Sequence, residues 1–247
     1  MKNSKLRRIL MLLACAVLLV CLSVGATLAY LTSTTEIVEN TFTVGKVVID
    51  IDEARVNEYG DPVKEVITKD EDDKEIVTYE KVPLAEADRV MENDYKLLPG
   101  HEYTKDPVIY VEDGSEPSLV YVVIDNPLKP IIGWTNEAAD IIGLQLTYDD
   151  KGEPNGPWMW VANNGDMTLY AYKTVVDARE GEVKLDTFKY IDIREDVDYT
   201  VLEDYAGLQI DVKAYAIQAD GMIAGTAPTW DELVRIWNAN FKWPGEE

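Results

Sequence analysis

The chain has 247 residues, with 46 Asp and Glu against 23 Lys and Arg, a formal charge of −23, one histidine and two cysteines. So acidic a surface repels nucleic acid and anionic lipid, which removes both as partners, and it favours solubility, cations and basic partner surfaces. A single histidine supplies little for a Ser-His-Asp or Cys-His arrangement or for a Cys/His zinc site.

Lys2, Lys5, Arg7 and Arg8 precede an uncharged run over 9–24, the layout of a secretory signal peptide. Gly25 and Ala26 begin a stretch of small residues, and Thr27 and Ala29 stand third and first before a predicted cut between Ala29 and Tyr30. Two other readings stay open. Residues 9–31 are long enough for an uncleaved anchor, although Ser23, Gly25 and Thr27 weaken the span, and Leu12-Leu13-Ala14-Cys15 resembles a lipoprotein box. Cleavage takes away four positive and no negative charges, so the remaining 218 residues carry −27. It also removes both Cys15 and Cys21, so no disulfide can hold the mature fold and a packed core must do so.

Phe42 and Val44 share one parity and Val47, Ile49 and Ile51 the other, with the switch at Gly45-Lys46. This predicts a strand over 41–52 carrying a glycine bulge. Residues 61–82 hold two β-prone runs around the polar tip 69–74 and read as an inserted hairpin. Asp70, Asp72 and Asp73 in that tip are calcium candidates, but the ligand order and central glycine of an EF-hand loop are missing, so a solvated turn is expected. His101-Glu102-Tyr103-Thr104-Lys105 begins like the zinc-protease signature yet has Lys105 where the second ligand belongs. Pro99 and Gly100 favour a turn where that signature needs a helix, so a structural role is predicted for His101.

A short strand is predicted over 108–111, and the unbroken apolar run 119–124 reads as a central strand covered on both faces. Alternation at 144–148 and 167–172 gives half-exposed strands, with turn clusters at 149–157 and 163–166. Trp158 and Trp160 offer either an aromatic platform for sugar or core packing; residues two apart share one strand face, so core is expected. Leu208, Ile210, Val212, Ala214 and Ala216 alternate with Gln209, Asp211 and Lys213, a strand with one face on the core. Thr229 and Glu232 form a capping box after Pro228, and Trp230, Leu233, Val234, Trp237 and Phe241 make one stripe. The result is a predicted amphipathic helix over 229–241 that seals one end of the molecule.

These elements describe an all-β antiparallel sandwich domain over 41–247 with an inserted hairpin and one C-terminal helix. No catalytic residue is assigned, since 46 carboxylates guarantee chance pairs that resemble a glycosidase dyad. No cofactor is expected, calcium being the candidate ion.

The junction Gly25-Ala26-Thr27-Leu28-Ala29-Tyr30-Leu31-Thr32, followed by Asn40-Thr41-Phe42-Thr43-Val44-Gly45, resembles the start of the exported proteins processed by the SipW type of signal peptidase. That group includes the biofilm fibre protein TasA and camelysin. Tyr95-Lys96-Leu97-Leu98-Pro99-Gly100-His101 with Lys105-Asp106-Pro107, and Ala214-Tyr215-Ala216-Ile217-Gln218, are similar to two further shared blocks. The resemblance implies a jelly-roll sandwich and export from a Gram-positive bacterium to the extracellular matrix or cell surface. It also implies contact with membrane and signal peptidase only during export, and self-association into fibres alongside other matrix proteins. In such fibres the new N-terminal segment inserts as a strand into the next subunit. Here that segment is 30–40, with Tyr30, Leu31, Ile37 and Val38 as its apolar contacts. On the residues alone it reads equally as a leader without structure or as a strand of its own molecule. Camelysin relatives are described as metallopeptidases, but no matching ligand set can be carried onto this chain. The hairpin at 61–82 and the stretch 158–160 lie outside the shared pattern. The expected function is a secreted, non-enzymatic structural protein of a matrix or surface that forms fibres; a secreted metallopeptidase and a monomeric glycan-binding adhesin stay open as alternatives.

Overall fold

Residue parity along one strand organises the molecule. In the computed structural model, which describes residues 47–132 and 156–246, strand β7 (Ser115–Asp125) carries Val120, Val122 and Ile124 into one core and Leu119, Tyr121 and Val123 into another. An unbroken apolar run is what such a strand needs, because neither of its faces meets water. Around it lies an antiparallel sheet. Strand β13 (Asp211–Gln218) pairs along one edge of β7, while β9 (Met167–Tyr172) and β10 (Val176–Ala178) share the other, and β8 (Trp158–Asn164) pairs outside β9.

A second antiparallel sheet has the order β11 (Val183–Asp186), β6 (Val108–Val111), β1 (Ile49–Ala54) and β4 (Arg89–Val90). Its Ile109, Val111 and Leu185 meet Val120, Val122, Trp158 and Tyr170 from the first, forming the larger core. The Trp158 indole N–H donates to the Asp186 carbonyl at 2.8 Å and so ties the two layers together. The chain is therefore an antiparallel β-sandwich, as its alternation predicts.

The terminal helix, α2 (Trp230–Asn240), forms with its capping box intact: Glu232 N–H reaches the Thr229 hydroxyl and Thr229 N–H reaches the Glu232 carboxylate. Its position differs from the expected one. Leu233, Ile236 and Trp237 pack on Leu119, Tyr121, Leu169 and Ile217, so the helix covers the outer face of the five-stranded sheet and adds a third layer. A second helix, α1 (Tyr199–Asp204), was not foreseen; Asp198 caps it by accepting the Thr200 N–H, and Leu202 alone is buried. Two turns with one buried anchor give no 3.6-residue stripe to recognise.

The hairpin forms as expected from β2 (Val63–Lys69) and β3 (Glu75–Lys81), paired only with each other among the described strands. Ile67, Val77 and Tyr79 stand exposed on it. A third small ladder joins β5 (Glu102–Thr104) to β12 (Tyr190–Asp192). The predicted leader over 1–29 with its predicted cut between Ala29 and Tyr30, the expected donor positions Leu31, Ile37 and Val38, the expected bulge at Gly45 and the expected strand at 144–148 fall outside the described residues.

Candidate functional site

A densely hydrogen-bonded polar group forms where β1 meets β4 and the turn before β6. Asp106 accepts the Ala54 N–H at 2.7 Å and the Arg89 guanidinium at 2.8 Å. Arg89 continues to the Asp52 carboxylate, also at 2.8 Å, and donates to the carbonyl oxygens of Asp52 and Asp106. Burial works against the Arg89 charge, but its hydrogen bonds to Asp106 and Asp52 outweigh that and raise its pKa above the ordinary value. One guanidinium thus fastens two strands and a turn through its fork of donors.

Beside it lies a second group. Glu53 accepts from Lys105 Nζ at 2.7 Å through one oxygen and from Asn93 Nδ2 at 2.9 Å through the other. The Lys105 and Glu53 side chains are 10% and 6% exposed, so the pair is largely withdrawn from water. Asn93 is fixed twice more, Nδ2 donating to the Ala54 carbonyl and Oδ1 accepting the Val56 N–H, each at 2.9 Å. The Tyr95 ring stands 5.9 Å from Lys105 Nζ. Burial first, and then the Glu53 and Asp106 charges, push the Tyr95 phenol well above its usual pKa.

These residues form part of the wall of a cleft of about 680 Å³ bounded by the segment 91–97 and by residues 199–211, where Tyr199, Tyr205, Leu208 and Ile210 face Tyr95 and Leu97. A smaller hollow of about 360 Å³ shares Glu53 and Lys105 and runs between β1 and β13, lined by Ile51, Ile210 and Val212. The larger cleft also carries Glu92, Asp94, Lys96, Glu203 and Asp211, so its wall is more polar than that of the usual small-molecule pocket.

The residues singled out from sequence are placed as follows. His101 sits outside any helix, its Nε2 2.8 Å from the Tyr59 carbonyl and its ring edge-on to Tyr103, while Lys105 belongs to Glu53, so the aborted signature is absorbed into local packing. Asp70 Oδ1 accepts the N–H groups of Asp72 and Lys74, and Asp73 pairs with Lys69 at 2.8 Å; these carboxylates build the hairpin turn. Trp158 is core as expected, but Trp160 is 47% exposed. The register from Trp158 to Trp160 is regular and the shift in β8 comes only after it, between Trp160 and Ala162, so strand parity does not account for the difference. Trp160 instead stacks on Trp230 of α2, with ring centroids 6.5 Å apart and planes 16° from parallel.

Glu53, Arg89 and Asn93 were missed by sequence reasoning. A signal existed for Glu53: it shares the parity of Ile49 and Ile51, which pack against the core, and a carboxylate at an inward position needs a partner. Comparison with protein-family models, with curated proteins and with solved structures returns no match.

Proposed function

We propose that the chain is a secreted structural subunit of an extracellular matrix or cell surface, assembling into fibres when the segment 30–40 of one copy adds as a strand to the next. The carrying observation is a pair of open edges. Among the described residues β13 pairs only with β7, and β1, paired with β6 over 49–52, meets β4 only at Glu53 and Ala54, leaving one edge of β13 and the edge of the first part of β1 away from β6 without a strand on either side of the smaller hollow. An exposed edge over a hollow lined by both apolar and charged side chains suits strand addition, in which main-chain hydrogen bonds give affinity and alternate side chains fill pockets. Tyr30, Leu31, Ile37 and Val38 are the side chains for those pockets. Export, the jelly-roll winding and the matrix setting rest on the leader and on the resemblance it carries.

Electron microscopy of the purified mature chain, with and without calcium, is the direct test. Fibres are expected, and deletion of 30–40 should abolish them while leaving the circular dichroism of the sandwich unchanged; monomers under every condition would overturn the reading. The exposed Trp160–Trp230 stack supports a second reading as a glycan-binding module. It predicts quenching of tryptophan fluorescence by oligosaccharides that is lost in Trp160→Ala.

A further inference from the structure

We propose that Lys105 and Asn93 become joined by a side-chain amide bond that the folded chain makes itself, with Glu53 carrying the protons. The arrangement that points to it is the single carboxylate shared by two nitrogens. Lys105 Nζ lies on one Glu53 oxygen at 2.7 Å and the Asn93 amide nitrogen on the other at 2.9 Å. The Asn93 carboxamide is held on the same acid as the lysine, its nitrogen also donating to the Ala54 carbonyl and its carbonyl oxygen accepting the Val56 N–H.

Each part of an acyl-transfer site is present. Lys105 Nζ is the nucleophile, and the buried carboxylate beside it is the base that frees its lone pair. Withdrawn from water, the pair is neutralised when one proton passes from Nζ to Glu53. Asn93 Cγ is the electrophile. As Nζ bonds to Cγ, charge develops on Oδ1, where the Val56 N–H stands at 2.9 Å to receive it. Glu53 then gives its proton to Nδ2, the Cγ–Nδ2 bond breaks, and ammonia leaves. The surplus proton on Nζ returns to Glu53, which ends protonated beside the new amide. A lysine side chain and an asparagine carboxamide give a secondary amide and one ammonia, and no oxidant or other reactant is consumed. The cleft onto which Glu53, Asn93 and Lys105 open is the exit for ammonia. The bond would fasten the segment carrying Asn93 to the start of the chain leading into β6, as a covalent tie in a mature chain expected to have no cysteine.

Mass spectrometry of the purified full chain, unfolded in urea, tests this. The expected mass is below that of the sequence by one ammonia, and tryptic digestion should yield a branched fragment joining the peptides that hold Asn93 and Lys105. That fragment separates the cross-link from simple ammonia loss elsewhere. Glu53→Ala and Lys105→Arg should both retain the ammonia and give no branched fragment. A wild-type chain at its full sequence mass, with Asn93 and Lys105 in separate linear peptides, would sink the proposal, and that result does not depend on whether either variant folds.

Discussion

Asp106 holds more of this molecule together than its single charge suggests. Its two oxygens serve an N–H of β1 and the guanidinium of Arg89, so Asp106→Ala leaves a buried backbone donor without its acceptor and takes from Arg89 one of its two carboxylates, Asp52 being the other. The expected cost is about 2–4 kcal/mol in urea denaturation, against the near-neutral effect of an exposed carboxylate. Asp177 illustrates the opposite case. It lies at the surface, and its hydrogen bond from the Arg179 side chain lowers its pKa to about 2 from the ordinary 3.8. Its stabilising contribution is therefore complete above the ordinary value and fades as pH falls through the folded one. An NMR titration should find that low midpoint, and Arg179→Ala should return it towards 3.8. None of this grouping is legible along the chain, because Glu53 is 52 residues from Lys105 and 40 from Asn93. What can be read is narrower: Lys105 is visible as a failed zinc ligand, and Glu53 as a carboxylate on the core parity of β1.

At the scale of elements, local patterning does much better. The run 119–124 announces a doubly covered strand, and the alternation beginning at 208 announces β13, although the strand proper starts at Asp211. The capping box and stripe announce α2. Where it docks is not readable, because an amphipathic stripe specifies an apolar surface without saying which one. In the structure, Leu233 and Ile236 are fully buried against the outer face of the sheet. Leu233→Ala should accordingly cost about 2–5 kcal/mol, checked by thermal and chemical denaturation. Trp158 and Trp160 show where parity arguments stop: both pair with β9 in one unbroken register, yet Trp158 is buried and Trp160 exposed, because parity fixes a face of the strand and not what covers it. The hairpin is the least integrated element, with β3 exposed along its whole length. Limited proteolysis should cut at its tip, residues 70–74, before any site in the sandwich.

For the whole molecule, charge and edges oppose one another. A chain carrying −23, or −27 on the proposed removal of residues 1–29, resists the approach of a second copy, while the proposed strand addition at the edges of β1 and β13 requires one. Screening decides between them: at about 0.1 M salt the Debye length is roughly 10 Å, and at ten-fold lower salt about 30 Å. The concentration needed for fibre growth, measured by light scattering, should therefore fall as salt is raised across that range.

Strand β7 has one more implication. With a core on each side and a partner along each edge, the amides at its centre reach solvent only when helix and both sheets come away together. Amide hydrogen exchange at Val120, Tyr121, Val122 and Val123 should therefore be the slowest in the chain and report complete unfolding. The hairpin amides should exchange orders of magnitude sooner, through openings that leave the rest of the molecule intact.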